Sequence, residues 1–298
     1  MPRVAFLTLE EIADFVIDDA LAIAELTRRG WEAHEVAWSA PGMDWSSYDL
    51  VIIRTTWDYH DRPAEFLATL AAIESSGTRL ENPRALVEWN IDKRYLRTLD
   101  ERGIAVVPSI WGRGGSARGF VALFESLQHA EIVLKPTISG GAKDTFRLHA
   151  PLSDVTLQHL VDTFHDRDWF AQPFLRSVIT EGEYSLFYFD GQLSHVVQKV
   201  PKPGDFRVQE EHGGEITAIA ITRELRDMAD GVLAAITPAP LQARVDLVRL
   251  DHGTLAVMEV ELIEPSLYFR MHPQAPANFA DALERLLARA PHTAMRAG

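Results

Sequence analysis

Short unbroken apolar runs alternate with helical stretches at the start of this chain. Val4–Thr8 is one such run and Leu50–Ile53 another. Runs of this kind suit strands buried on both faces of a parallel sheet. Asp19 stands where it would cap a helix over Ala20–Arg29, which Gly30 ends, and Pro63–Ser75 forms a second helix stopped at Gly77. The order βαβα predicts a small doubly wound unit over residues 1–90. Nothing in it has the spacing G-x-G-x-x-G, which argues against a dinucleotide site.

Asn82-Pro83 marks a turn. A helix is predicted from Asp92 to Arg102, ended by Gly103, then a strand Ile104–Val107 ended by Pro108. Gly112-Arg113-Gly114-Gly115-Ser116 reads as a flexible surface loop, because Gly119 stands one place too late for a dinucleotide fingerprint. From Ile132 the pattern changes. Ile132–Lys135 and Thr145–His149 read as strands and Asp154–Phe164 as a helix. Tyr184–Phe189 and Gln192–Val200 flank Asp190-Gly191, whose two residues accept the positive φ angles of a tight hairpin. A last helix over Arg223–Ile236 precedes two strands, Arg244–Leu250 and Thr254–Leu262, joined by Asp251-His252-Gly253. The fold class is therefore α/β in front and α+β in the C-terminal two-thirds, where antiparallel sheets carry helices.

Composition narrows the function. With 298 residues, 47% of them hydrophobic, the chain has ample core for two or three modules and is not a disordered chain. No apolar run approaches the ~18 residues of a membrane span. Glu10, Glu11 and Asp14 stand where a signal peptide needs its apolar stretch. There is no Cys, hence no disulfide, thiolate metal site or thiol nucleophile. A net charge of −14 argues against a general affinity for nucleic acid or anionic membranes. A cytoplasmic globular protein, with neither nucleic acid nor membrane as partner, is the expectation.

The sharpest constellation is the final hairpin. With Leu250 opposite Leu255, Val248 meets Val257, Asp246 meets Glu259 and Arg244 meets Glu261. Residues two apart share a face, so Arg244, Asp246, Glu259 and Glu261 lie together. Like charges opposed at ~5 Å destabilise a sheet, and a divalent cation such as Mg²⁺ would relieve them. The same spacing also fits a solvated face with an Arg244–Glu261 pair. Lys135 ends an apolar strand just before Ser139-Gly140-Gly141, whose backbone N–H groups could approach phosphate oxygens. Lys93 opens a helix. Lys199, Lys202 and Arg207 cluster around Asp205, as a phosphate-binding loop or as a merely solubilising one.

Taken in order, these pieces resemble the ATP-grasp superfamily of carboxylate–amine ligases, from about Asn82 to Pro265. Lys93 and Lys135 match its two nucleotide lysines, and Ser139-Gly140-Gly141 its phosphate-covering loop. Ala171-Gln172-Pro173-Phe174-Leu175 resembles the hinge that holds adenine through backbone groups, with Gln172 and Phe174 in it. Glu183 matches the ribose carboxylate. Lys199 and Gly204-Asp205-Phe206-Arg207 resemble basic positions near the transferred phosphate. Arg244-Val245-Asp246 and Glu259-Val260-Glu261 match the arginine and metal carboxylates. The commoner metal motif is Glu-x-Asn, and glutamate at 261 still offers oxygen. The tail Glu259-Val260-Glu261-Leu262-Ile263-Glu264-Pro265-Ser266-Leu267, with Arg54-Thr55-Thr56-Trp57-Asp58-Tyr59 upstream, is more similar to the cycloserine-pathway branch of O-ureido-serine cyclo-ligases than to the D-alanine–D-alanine ligases.

The resemblance implies an ATP-grasp fold in three subdomains: residues 1–90 on the substrate side, 91–171 central, and 172–298 carrying the metal site, with ATP between the last two. It implies ATP with one or two Mg²⁺ ions (Mn²⁺ serving in the same site) held by Asp246, Glu259 and Glu261. Lys135, Lys199 and Arg207 would spread the phosphate charge, and Arg244 would stabilise a tetrahedral intermediate. The expected reaction turns an amino-acid-like carboxylate into an acyl phosphate, which an amine-type nitrogen then attacks. A small-molecule kinase and a non-catalytic ATP-binding protein are the alternatives. Relatives suggest a homodimer, for which the sequence carries no interface signature. Ligands of open α/β sheets sit beyond the carboxyl ends of strands, so Arg54 could hold a substrate carboxylate and Asp58 an amine, beside Trp57. Equally, Trp57 could pack in a domain interface and Arg54 pair with Asp58.

Overall fold

The computed structural model describes residues 1–11 and 15–289, so Asp14 lies outside the described residues. The first sheet is built from β1 (Arg3–Thr8), α1 (Asp19–Arg28), β2 (Glu32–Ala37), β3 (Leu50–Thr55), α2 (Pro63–Ser75) and β4 (Arg79–Glu81). Its strands run parallel in the order β2-β1-β3-β4. β3 is buried along its whole length, which is why its sequence is an unbroken apolar run. β2 is an edge strand with one buried residue, Val36, and its polar sequence gave no sign of it. Asp19 is not the cap expected of it. It sits inside the first turn of α1, buried, and the capping position falls on Asp18.

The helix expected over Asp92–Arg102 is present as α4 (Tyr95–Glu101), preceded by a short helix the sequence did not announce, α3 (Arg84–Asn90). The segment Ile104–Val107 forms no strand of its own. A single parallel bridge joins Val106 to Val257, and Pro108 ends the pairing because it has no N–H. The second sheet contains β5 (Ile110–Arg113), α5 (Ala117–Leu127), β6 (Glu131–Pro136), β7 (Phe146–His149), α6 (Asp154–Phe164) and β8 (Asp168–Pro173), antiparallel in the order β5-β8-β6-β7. Gly112 and Arg113 thus belong to a strand, and the expected loop shrinks to the residues after them. A Cβ on Gly112 would lie 2.3 Å from the Trp169 ring, so the close approach requires glycine. Ser116 caps α5, its side chain accepting from the Gly119 N–H.

After the one-turn helix α7 (Ser177–Thr180), the third sheet is formed by β9 (Glu183–Phe189), β10 (Gln192–Val200), β11 (Glu215–Ala218), α8 (Arg223–Ala234), β12 (Gln242–Arg249) and β13 (Leu255–Glu261). All pairs are antiparallel, in the order β11-β10-β9-β12-β13. Asp190 and Gly191 take φ of 53° and 72° in the β9–β10 turn, the type I′ geometry their sequence predicted. α8 is not the last helix. α9 (Ala275–Ala288) follows it and packs against α1, joining the first and third sheets in one apolar core. Among the described residues, no helix is long and apolar enough to cross a membrane.

One core histidine carries a pH signature. His195 on β10 stacks on Phe187 at 4.3 Å between ring centroids, and its Nε2 lies 2.9 Å from the Leu267 carbonyl. Burial pushes its pKa down to about 4, against the pull of that carbonyl. A histidine titrating normally in the unfolded chain binds a proton near pH 6.5. Stability from this group is therefore complete above pH 6.5 and is lost as pH falls towards 4. Chemical unfolding at pH 7 and pH 4.5 is expected to show the wild type losing about 2 kcal/mol more than His195→Gln. Equal losses in both proteins would remove His195 from the acid response.

Candidate active site

The site grows from the register of the third sheet. Lys199 pairs with Glu183 across β10–β9, Ser185 with Asp246 across β9–β12, and Asp246 with Glu259 and Arg244 with Glu261 across β12–β13. Alternation brings these side chains to one face. The expected register holds where it matters, but Leu255 faces Arg249 and Val257 faces Leu247, each one place from expectation. The reason is a bulge that gives β13 one extra residue, Met258, before Glu259. Bulges re-aim side chains beside functional sites, and the Met258 sulfur lies 3.6 Å from Lys135 Nζ.

Asp246, Glu259 and Glu261 each offer an oxygen, all within 4.8 Å of one another. Arg244 donates to Asp246 through Nη2 at 2.8 Å and also reaches Glu261. Lys199 contacts Glu183 and lies 3.4 Å from Asp246. Burial alone would push Lys199 down, but Asp246 and Glu183 outweigh it and hold it above the ordinary lysine range. Burial would raise Asp246, yet Arg244 and Lys199 hold it below the usual carboxylate range. The outer acids differ. Burial pushes Glu261 up to about 7, with Glu259 and Asp246 adding to it against Arg244. Glu264, just beyond β13, is pushed up to about 8 by burial and by Glu261. The cations present leave negative charge uncompensated, and three converging carboxylates are a hard oxygen donor set. These residues fit a divalent cation such as Mg²⁺.

The second sheet contributes the opposite wall. Lys93 donates to the Ser139 carbonyl at 2.8 Å and lies 3.3 Å from Glu259, so it ties the glycine loop to the carboxylates. A Cβ on Gly140 would stand 3.2 Å from His60 Nδ1, and Gly141 takes φ of 56°. Lys135 donates to Gln172 Oε1 at 3.1 Å, and burial lowers its pKa. Phe174 is buried and its N–H donates to the Glu131 carbonyl at 3.0 Å. The expected hinge is therefore corrected in part: Gln172 is a ladder residue of β8, and the Phe174 N–H is already engaged.

Three further expectations change. Lys199 does not join a basic cluster at Asp205, because β10 buries it against Glu183 and Asp246. Asp205 instead binds Arg207, with Nη2 to Oδ2 at 2.8 Å and Nε to Oδ1 at 3.0 Å. Arg54 is buried, and its guanidinium is taken up by protein groups. It donates to Asp19 Oδ1 at 2.9 and 3.1 Å, to Gln242 Oε1 at 3.0 Å and to the Pro265 carbonyl at 3.2 Å, and it does not pair with Asp58. Asp58 accepts from Trp38 Nε1 at 2.7 Å and pairs with Arg62 at 3.0 Å. Trp57 donates to the Glu264 carbonyl at 2.9 Å, which places it in the interface with the tail after β13. Sequence reasoning missed Ser185, which bonds Asp246, although its place two residues after Glu183 was a signal.

The comparisons agree with this geometry. Residues 118–266 match the model of the ATP-grasp domain of prokaryotic glutathione synthetase, and residues 4–82 that of the N-terminal domain of D-cycloserine synthetase DcsG. The structure of the ATP-grasp ligase PsnB, solved with its minimal precursor, Mg and ADP, superposes with a TM-score of 0.65, covering 96% of this chain and 98% of that one. At 15% identity that likeness speaks for the fold alone. The chain is an ATP-grasp ligase. The cycloserine biosynthesis protein DcsG of Streptomyces lavendulae is 34% identical over 276 residues, 86% of this chain and 90% of that protein. The crystal structure of D-cycloserine synthetase DcsG superposes with a TM-score of 0.83 at 30% identity, covering 96% and 99% of the two chains. Within the ATP-grasp ligases, the chain belongs to the family of D-cycloserine synthetase.

Proposed function

We propose that the protein activates the carboxylate of a small amino-acid-like molecule as an acyl phosphate at the expense of ATP, and joins it to an amine-type nitrogen of the same molecule, closing a ring. One observation carries this reading: three carboxylates converge on one sheet face with Lys199 and Arg244 among them and Lys93 reaching over from the glycine loop. Phosphoryl transfer asks chiefly for positioning and charge neutralisation. Asp246, Glu259 and Glu261 would hold one or two Mg²⁺, which when bound neutralise phosphate oxygens. Lys135 and Lys199 spread the remaining phosphate charge. Lys93 holds the Ser139-Gly140-Gly141 loop over the nucleotide, near Gln172, Phe174 and Glu183. Arg207 joins the phosphate on exchanging Asp205 for it. Arg244 faces the acyl oxygen, where negative charge develops as the nitrogen adds. The units 1–90, 91–171 and 172–298 supply substrate side, central wall and metal face. A cytoplasmic homodimer goes with this reading as an expectation.

Protein incubated with Mg²⁺, ATP and a panel of amino-acid-like acids is expected to release ADP and phosphate only with the right acid. Mass spectrometry of the product then decides its class. A ring or amide supports the ligase, a stable phosphoester makes the protein a kinase, and no ADP from any acid overturns the proposal.

A further inference from the structure

β13 is the last strand of its sheet, with β12 on one side only. The buried N–H and carbonyl groups of its outer edge still need partners. Val257 finds them on the passing segment: its N–H donates to the Ala105 carbonyl at 2.9 Å and its carbonyl accepts from the Val107 N–H at 3.1 Å. Among the described residues that is the one backbone bridge on this edge. Past Pro108 the segment leaves for the second sheet, and side chains take over. Tyr95 Oη accepts from the Val260 N–H at 2.8 Å. Asn90 bridges two residues, its Nδ2 donating to the Val260 carbonyl at 2.9 Å and its Oδ1 accepting from the Leu262 N–H at 2.9 Å. Asn82 Nδ2 then donates to the Leu262 carbonyl at 2.6 Å. The Asn90 amide thus stands where the peptide group of a neighbouring strand would, and all three side chains belong to buried residues.

These bonds fall at a particular place. The Val260 N–H belongs to the peptide unit that follows Glu259, and the Val260 carbonyl to the unit that precedes Glu261. Tyr95 and Asn90 therefore hold the backbone between the two glutamates, from the side opposite β12. The sheet itself holds this stretch less firmly, because the bulge at Met258 interrupts the β12–β13 ladder just before Glu259. Three carboxylate oxygens lie within 4.8 Å of one another here, and a strand free to slide or twist would part them. Lys93 lies on the same stretch of chain as the two side chains. Its backbone N–H donates to the Thr137 carbonyl at 2.8 Å, its Nζ to the Ser139 carbonyl at 2.8 Å, and the same Nζ lies 3.3 Å from Glu259. The segment from Asn90 to Tyr95 thus supplies both the lysine that reaches Glu259 and the two side chains that hold its strand.

We propose that Tyr95 and Asn90 are positioning residues for the metal site: by holding the two peptide units around Val260 they aim Glu259 and Glu261 at one cation. They act through the strand and not by touching the ion. The inference rests on reading Asp246, Glu259 and Glu261 as Mg²⁺ ligands, and deepens it. Groups that orient metal ligands are commonly worth about 10–100-fold in metal affinity or activity. Without the Tyr95 hydroxyl the Val260 N–H is left unpaired in the core, where Val260 is buried. The strand relieves that by shifting, and it carries Glu259 and Glu261 with it.

ADP binding is followed by calorimetry in EDTA and over a series of Mg²⁺ concentrations, for wild type, Tyr95→Phe, Asn90→Leu and Tyr188→Phe. Tyr188 shares an apolar core with Tyr95 and donates its hydroxyl to Asp230 at 2.7 Å, on the opposite face of β9 from Glu183 and Ser185. Its variant therefore removes a similar bond away from the carboxylates. Mg²⁺ binds free ADP alike in every sample, so differences belong to the protein. The wild type is expected to bind ADP about tenfold or more tightly with Mg²⁺ than in EDTA, a modest coupling between two ligands. Tyr95→Phe and Asn90→Leu are expected to raise the Mg²⁺ concentration at half-effect about tenfold, with ADP binding in EDTA within about threefold of wild type. Tyr188→Phe is expected to leave both within about twofold. A Mg²⁺ midpoint within about threefold of wild type in Tyr95→Phe overturns the inference and leaves the metal site standing, whether or not Asn90→Leu folds. An equal rise in Tyr188→Phe would mean a general loosening of the core and also overturns it. A wild type whose ADP binding ignores Mg²⁺ removes the metal site, and the inference with it. The expected Mg²⁺ shifts, without ADP formation by the wild type from any acid, keep the inference and remove the ligase.

Discussion

Glu259→Gln is expected to lower ADP formation by ~10²–10³-fold while the protein stays folded. Glu259 faces Asp246 across the final hairpin and touches Lys93 at 3.3 Å. Glutamine keeps the shape and one oxygen donor but removes a unit of charge from the set that would hold Mg²⁺. The same change relieves repulsion, since Glu259 helps hold the Glu261 carboxyl up at about 7. The metal-free variant is therefore expected to melt no lower than the wild type, and Mg²⁺ with ADP should raise its melting temperature less. Together the two readouts separate loss of the site from loss of the fold. Wild-type rates in Glu259→Gln would remove these carboxylates from the reaction.

The carboxylate face was legible in the sequence because period-two alternation and a short loop determine which residues meet. Asp246 opposite Glu259 and Arg244 opposite Glu261 are expected from a turn with Leu250 opposite Leu255; the turn instead pairs Arg249 with Leu255, and the bulge at Met258 restores the expected pairs at the site. The bulge at Met258 did not follow, because an extra residue is a backbone event with no compositional mark. Buried strands such as β3 announce themselves through unbroken apolar runs, whereas β2, on a sheet edge, shows mostly polar residues. Lys199 misled for a different reason. Read along the chain it stands near Lys202, Asp205 and Arg207, but its partners come from β9 and β12. Charge patterns reveal partners close in sequence and hide those supplied by distant strands. Arg54 is the extreme case, with Gln242 lying 188 residues away.

That distance gives the second large effect. Arg54→Met is expected to destabilise the protein by about 3–5 kcal/mol, the range for breaking a buried ion pair from one side. Arg54 is only 1% exposed and Asp19 only 2%. Without the guanidinium, Asp19 keeps a buried negative charge with no cation, and its Oδ2 has no hydrogen bond to begin with. Gln242 loses its donor on Oε1 but keeps its own bonds to the Ile53 and Ile263 carbonyls at 2.7 and 3.2 Å. The junction between first and third sheets is thus weakened and not severed. The melting temperature should fall by roughly 10 °C. Adding Asp19→Leu to Arg54→Met should recover part of the loss, because the stranded charge is the larger share of the penalty. Below the melting range, the KM for the acid in the double variant should lie within about threefold of wild type, since the bonds Arg54 makes all go to protein groups and the tail keeps its contacts with Trp57, Asn82 and Asn90. A tenfold rise in that KM with stability intact would return Arg54 to the substrate, and a loss below 1 kcal/mol in Arg54→Met would mean that water or a neighbour readily replaces the pair.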